Sequence, residues 1–244
     1  MQVLVVDDYA ANRLLLAQQL SHLGHRVQDA RDGEEGLGFW REHVYDVVIT
    51  DCNMPALSGY ELARAIREEE RIQGLKPCLI LGFTANAQHE EKIRCREAGM
   101  DDCLFKPINL KDLNAGLTGA PVLANAPVSV ETPADPCVEF DLGGLEQLAG
   151  DDRHLIDHLL ADLTASNAED RERLQALHAD SDRIGLRDLA HRIKGGARMI
   201  KAQRLILWCE QLETACSEHD SHSLNLAVQG LHDAMQRLDR YLKR

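Results

Sequence analysis

Val47-Val48-Ile49-Thr50-Asp51-Cys52-Asn53-Met54-Pro55 is an apolar run that ends on a single carboxylate. It reads as a buried strand. Val3 to Val6 is a second such run and stops at the paired acids Asp7-Asp8, Leu79 to Phe83 stops at Thr84, and Cys103-Leu104-Phe105 stops at Lys106-Pro107. In an open parallel sheet, ligands bind just beyond the carboxyl ends of the strands, so these four endings are expected to converge on one pocket. Three carboxylates, a hydroxyl and an ammonium gathered there suit a divalent cation and a phosphoryl group.

Working outward, residues 1 to about 118 alternate short apolar runs with stretches of helical period, the pattern of a doubly wound α/β domain. Strands are expected at Gln2 to Val6, Arg26 to Asp29, Asp46 to Thr50, Cys78 to Phe83 and Asp102 to Phe105. Helices are expected near Ala10 to Leu23, Gly33 to His43, Gly59 to Glu70, Gln88 to Ala98 and Asn109 to Leu117. Between about 119 and 138 the composition turns to Ala, Pro, Thr and Val, which supports neither a core nor a regular helix and reads as a flexible linker. From about 139 to 244 the strand pattern is gone. Four or five helices there, broken near Gly150-Asp151, Asp180 to Asp182, Lys201-Ala202 and His219 to Ser221, predict an antiparallel helical bundle.

Composition limits the alternatives. A length of 244 residues suits two domains of ordinary size, and a net charge of −13 without a basic stripe argues against nucleic-acid binding. No apolar run approaches the roughly 18 residues that span a bilayer, so membrane contact by these residues is not expected. The seven cysteines include no C-x-x-C, which speaks for a reducing compartment and against a zinc site. Cys52 is read as a core residue, as are Trp208, Leu205, Cys209, Leu212 and Cys216 in the second half. The Glu68-Glu69-Glu70 run is read as a solvated helix end.

Within the bundle, the segment Arg183 to Ile200 is the most informative. Leu186, Ala190, Ile193, Ala197 and Ile200 follow the three-four spacing of a buried stripe. His191 lies two residues from Ile193, about 200° around the axis at about 100° per residue, and is expected to face water. Arg187, Lys194, Gly195 and Arg198 share that face, where the cations could hold an anion beside the imidazole. Gly195 leaves the ring uncovered. A helix interior pays about 1 kcal/mol for glycine relative to alanine, so Gly195-Gly196 suggests close approach of a partner.

With these residues in view, positions 1 to 118 resemble a response-regulator receiver domain, on Asp7-Asp8, Asp51 before Met54-Pro55, Gly59, Thr84-Ala85 and Lys106-Pro107. Positions from about 139 to 244 resemble a histidine phosphotransfer (HPt) domain, on the His-x-x-Lys-Gly core of His191 to Gly195. The receiver half would carry a flavodoxin-like five-stranded parallel sheet. The order receiver, linker, HPt resembles the tail of an unorthodox hybrid sensor histidine kinase, and the wording DCNMP, GFTA and GMDDCLFKP is similar to the BvgS/EvgS type.

That resemblance implies roles. Asp51 would be the phosphoacceptor, and Mg²⁺ would sit on Asp8, Asp51 and the backbone carbonyl of Asn53, with Asp7 supporting it through water. Thr84 and Lys106 would contact the phosphoryl oxygens, and His191 would take the phosphoryl group from Asp51. Residues at Asn53 and Asn86 would tune loss of phosphate to water. The implied partners are an upstream histidine kinase core, expected on the same parent chain, and the receiver of a separate response regulator. The implied location is the cytoplasmic side of an inner-membrane sensor. Neither nucleotide-binding glycine loops nor an Asn-box is visible, so ATP-dependent kinase activity is not expected of these residues. Two departures stand out: Cys103 replaces the usual aromatic switch, and Gly196, Ala197 and Arg198 replace the small polar residues and Asn after the HPt core.

Two other functions compete. A phosphorylation-independent interaction module would dock or restrain the kinase, although intact acceptor, metal and lysine positions argue against it. A metal-dependent phosphatase with an aspartate nucleophile is disfavoured, because Asp51-Cys52-Asn53 lacks the Asp-x-Asp hallmark.

Overall fold

The computed structural model describes residues 1–85, 89–118, 140, 153–218 and 220–242, without the side chains of His89 and Leu155. The chain divides into two compact units, Met1–Pro133 and Ala134–Arg244. The expected linker at 119–138, Asn86, Cys137 and the expected break at Gly150-Asp151 lie outside the described residues.

The first unit is a five-stranded parallel sheet in the order β2-β1-β3-β4-β5. Its strands are β1 (Gln2–Val6), β2 (Arg26–Ala30), β3 (Val47–Asp51), β4 (Leu79–Thr84) and β5 (Asp102–Phe105). The helices are α1 (Ala10–His22), α2 (Gly33–Glu42), α3 (Gly59–Gln73), α4 (His89–Glu97) and α5 (Leu110–Leu117). The apolar runs read as strands because alternate residues feed two different cores. Val3, Val5, Val47 and Ile49 pack with Leu16 and Leu20 of α1 and Leu113 and Leu117 of α5. Leu4, Val6 and Val48 pack with Trp40, Leu62 and Ile66 beneath α2 and α3 on the other face. A strand covered on both sides has no polar face to show, so it cannot alternate.

Local chemistry sets the helix ends. Ser58 and Glu61 form a reciprocal capping box at the start of α3, satisfying two otherwise orphaned amides. Asp32 and Asn109 cap α2 and α5 by accepting from Glu35 and Asp112 amides. Gly74 ends α3 in the left-handed region at φ 65°. One expectation fails here. The Glu68-Glu69-Glu70 run is not simply solvated: Glu70 is buried, paired with Arg67 at 2.7 Å and accepting the Cys78 amide at 2.7 Å. Arg67 also reaches Asp101 at 2.7 Å, so an ionic clasp joins α3 to the approach to β4 and β5.

The second unit contributes four described helices, α6 (Arg153–Ala179), α7 (Arg183–Met199), α8 (Gln203–Glu218) and α9 (Ser221–Leu242). Short connections at 180–182 and 200–202 join α6 to α7 and α7 to α8, and each helix packs on its neighbours, with α9 closing against both α6 and α8. The expected stripe of Leu186, Ala190, Ile193, Ala197 and Ile200 is buried, and Leu189 and Met199 widen it. Cys209, Leu205, Leu212 and Cys216 are core, whereas Trp208 is only partly buried and lies over Gly230. A Cβ at Gly230 would sit 2.5 Å from the Trp208 ring, so α8 and α9 meet through a glycine notch. Asn167 and Arg171 of α6 both bond Asp239 of α9, at 2.5 Å each, tying the first and last of the described helices together.

No described helix is long and apolar enough to cross a membrane.

Candidate functional site

The sheet order puts the four predicted strand ends side by side. Val6 pairs in register with Thr50, Asp51 with Phe83, and Thr84 with Phe105. Asp7, Asp51, Thr84 and Lys106 are therefore gathered at one edge of the sheet.

Asp7 is fully buried, and its carboxylate is tightly held. Its Oδ1 accepts from the Tyr9 amide at 2.8 Å, and the Asn12 amide side chain donates to both oxygens at 3.0 Å. Lys106 Nζ bridges two acids, donating to Asp7 Oδ2 at 2.8 Å and Asp51 Oδ2 at 2.7 Å. The ammonium also lies 4.8 Å from the centre of the Phe83 ring. Burial works to lower the Lys106 pKa, and the adjoining Asp51 and Asp7 carboxylates overcome it, so the ammonium is held above its ordinary value. The second oxygen of Asp51 accepts from the Asn53 amide at 3.2 Å.

Asp8 is partly exposed and completes an acidic triad in which one carboxylate oxygen each from Asp7, Asp8 and Asp51 lies within 4.8 Å of the others. Opposed oxygens in an octahedral magnesium shell are about 4.2 Å apart, given bonds near 2.1 Å. The donor set fits such a cation. Behind Asp51, a Cβ on Gly59 would fall 2.0 Å from the Asp51 carbonyl oxygen, so only glycine lets α3 start this close to β3.

Thr84 is fully buried, and its hydroxyl donates to Glu91 Oε1 at 3.3 Å. The Tyr60 hydroxyl donates to the same oxygen. Glu91 is itself buried, and Tyr60's pKa is raised by burial first, then by its neighbours Cys52 and Glu91. Neither Glu91, Tyr60 nor Asn12 is evident from strand endings. Asn12 had a faint signal, since a polar residue shares the inward face of α1 with Leu15, Leu16 and Leu20.

In the second unit His191 is not simply water-facing: its side chain is 23% exposed and Nδ1 lies 3.5 Å from Glu213 Oε1 on α8. Lys194, expected on an open cationic face, is buried and bound to Glu213 Oε2 at 2.5 Å. The helical wheel of α7 placed both residues away from the stripe, but α8 crosses beside that flank and supplies a carboxylate to each. Burial works to raise the Glu213 pKa, while its bonds to His191 and Lys194 outweigh that and hold it below the ordinary range. Arg198 feels Glu210 and Glu213 in the same way, although burial depresses it overall. The cations are thus largely matched by acids. Arg187 remains the exposed one, 3.6 Å from Asp188. A Cβ at Gly195, one turn from His191, would meet nothing within 4 Å, although the glycine itself is buried. Next to His191, Arg192 lies 3.4 Å from buried Asp170, whose carboxyl is pushed up to about 6 by burial against the pull of Arg192 and Arg173.

Comparison with known proteins agrees with this geometry. Residues 3–118 match the response regulator receiver domain family and residues 158–241 match the Hpt domain family. The virulence sensor protein BvgS of Bordetella pertussis is 46% identical over 215 residues, covering 84% of this chain and 17% of that protein. The sensor protein EvgS of Escherichia coli K12 is 34% identical over 222 residues, covering 91% of this chain and 18% of its own length. The chain therefore spans less than a fifth of these relatives. Among solved structures, the receiver domain of sensor histidine kinase PA1611 from Pseudomonas aeruginosa, with a magnesium ion in its active site cleft, is 32% identical over 48% of this chain and 94% of that one, with a TM-score of 0.44. The chain belongs to the two-component signalling family, as a response regulator receiver domain followed by an Hpt domain of the hybrid sensor kinase kind.

Proposed function

We propose that the chain is a phosphorelay intermediate in which a kinase phosphohistidine donates to Asp51, Asp51 to His191, and His191 to the receiver aspartate of a separate response regulator. The observation that carries this reading is the bridge from Lys106 to Asp7 and Asp51, at 2.8 and 2.7 Å, in a pocket where Asp8 completes an acidic triad.

The chemistry follows from charge. An oxygen of Asp51 attacks phosphorus while the phosphorus–nitrogen bond of the donor breaks, and the imidazole leaves with that electron pair. Asp51 needs no general base, because its carboxylate is already ionised. What it needs is relief from repulsion by the incoming phosphoryl oxygens, since proteins accelerate this step mainly by alignment and charge stabilisation. Lys106 supplies a fixed positive charge. Thr84 and the backbone at Asn53 supply donors at the neighbouring strand ends. Asp7, Asp8, Asp51 and the Asn53 carbonyl would hold Mg²⁺, which supplies further neutralisation of the phosphoryl oxygens when bound.

His191 would then take the phosphoryl group as the bond between phosphorus and the Asp51 oxygen breaks. Glu213 beside Nδ1 favours the tautomer that carries its proton there, which leaves Nε2 with its lone pair as the nucleophile. The space over Gly195 gives a receiver surface room to approach the ring. Segments 1–118, 119–138 and 139–244 are accordingly read as receiver, linker and HPt domain. The kinase core and any membrane anchor of the parent sensor would lie outside these residues, with this tail on the cytoplasmic side.

Incubation with Mg²⁺ and acetyl phosphate, followed by mass-spectrometric mapping in wild type, Asp51→Asn and His191→Gln, tests the relay. The expected result is phosphate on both residues in wild type, on Asp51 alone in His191→Gln, and on neither in Asp51→Asn. Failure to label Asp51 in a folded, Mg²⁺-binding chain would overturn the reading and favour a phosphorylation-independent interaction module.

A further inference from the structure

Directly behind Asp51, on the α3/α4 side of the sheet, the receiver unit holds a second cluster of metal-ligating groups, none of which touches the transferred group in the proposed relay. Cys52 follows Asp51 in the chain, Cys95 and Glu91 come from α4, and all three are at most 3% exposed. Ligand atoms from the three lie within 4.8 Å of one another. Cys103, 2% exposed, hydrogen-bonds Cys95 from β5. A separate observation marks the same place: a Cβ on Gly82 of β4 would sit 2.8 Å from Met100 Sδ and 3.0 Å from both Cys52 Sγ and Cys95 Sγ. The central strand gives up its side chain where three sulfurs converge.

The geometry points to a site for a thiophilic d¹⁰ cation, zinc or its analogue cadmium, formed by Cys52, Cys95 and Glu91 and backed by Cys103 and Met100. The two thiols are 3.7 Å apart. Two metal–sulfur bonds of about 2.3 Å at a tetrahedral angle span about 3.8 Å, so the sulfurs already stand at the separation a shared ion requires. A disulfide, at about 2.05 Å between sulfurs, would need them to close by well over an ångström. Sulfur ligands also separate this site from the acidic triad, because soft donors select zinc-like ions while carboxylates and water suit magnesium. On binding, each thiol proton goes to solvent as its sulfur takes the metal, and no electrons are transferred.

The site was hidden from sequence spacing because its ligands come from a strand end and a helix 43 residues apart in Cys52 and Cys95. Oxidation is the poorer use of these sulfurs. The sulfurs stand 3.7 Å apart, far outside a disulfide, and although the Cys103 hydrogen bond lowers the Cys95 pKa, the Cys52 hydrogen bond and burial push it up to about 12, so the thiols stay protonated until a metal displaces their protons.

The test is titration of the reduced, full chain with cadmium, in excess Mg²⁺ to occupy the acidic triad, following the thiolate-to-cadmium charge-transfer band in the ultraviolet. Wild type should develop the band to saturation at one equivalent, and Cys95→Ser should lose it, while Cys209→Ser should match wild type. Glu91→Gln, which keeps the side-chain volume, should retain the band with affinity lowered about tenfold or more. Absence of a stoichiometric band in wild type, or an unchanged band in folded Cys95→Ser, would overturn the proposal. If Cys95→Ser does not fold, Glu91→Gln decides, and unchanged affinity there would overturn it.

Discussion

The two proposed phosphoacceptor positions are built in opposite ways. Asp51 sits in a pocket assembled from four strand ends nearly a hundred residues apart in sequence, with its own side chain and those of Asp7, Thr84 and Lys106 all withdrawn from solvent. His191 sits on one helix beside Glu213 of a neighbouring helix, about a quarter exposed. The contrast shows where catalysis is stored. The receiver keeps its charges preorganised and buried, where electrostatics acts with little reorganisation. The HPt unit offers a nucleophile that can be presented to another protein's pocket.

If that division of labour is right, the largest effect should come from Lys106→Ala. It removes the cation shared by Asp7 and Asp51, and labelling of Asp51 by acetyl phosphate should slow by about a hundredfold, near 3 kcal/mol in barrier. Chemically prepared phospho-His191 in the same variant should still donate to an intact receiver. A labelling rate within a few-fold of wild type would erase the distinction. Gly230→Ala comes next: overpacking against Trp208 should cost about 1–3 kcal/mol of stability, read as a loss of denaturation midpoint reported by Trp208 fluorescence in a Trp40→Phe background. That change loosens the bundle while leaving Asp51 labelling intact.

Glu213→Gln probes the carboxylate beside His191 Nδ1. Transfer from Asp51 to His191 should fall about tenfold, or about 1.4 kcal/mol, with an altered pH profile of the transfer rate. A purely structural role for Glu213 would lower stability and leave the profile unmoved. Gly195→Ala should have the smallest effect on folding and the opposite sign, stabilising α7 by about 1 kcal/mol because nothing lies within 4 Å of the new methyl. Transfer should nevertheless slow if a partner needs that space, and a variant both more stable and equally fast would remove Gly195 from the docking surface.

The receiver pocket was legible because its parts are strand terminators. An apolar run that stops at Asp51, at Thr84 or at Lys106 announces both the strand and the residue it delivers, and parallel topology does the gathering. The buried stripe of α7 was legible for a similar reason, since Leu186 to Ile200 repeats with the helical period. What could not be read was anything supplied across a helix crossing. Periodicity placed Lys194 on an outer face, but the path of α8 put Glu213 over it. Glu70 looked like one member of a solvated acidic run until Arg67 and the Cys78 amide enclosed it. Glu91 was silent likewise and Asn12 nearly so, each polar residue becoming meaningful only through the hydroxyl or carboxylate it meets.

The hydrogen bond from Thr84 to Glu91 carries a consequence of arithmetic. A hydroxyl has one proton to give, so Thr84 cannot donate to Glu91 and to a phosphoryl oxygen on Asp51 at the same moment. When the acceptor takes the proton, Glu91 keeps only the Tyr60 hydroxyl among these two donors, inside a region too dry to replace what was lost cheaply. Under the proposed relay, chemistry at β3 would thereby become a vacancy in the bonding of α4, an either-or choice that needs no rotating ring at position 103.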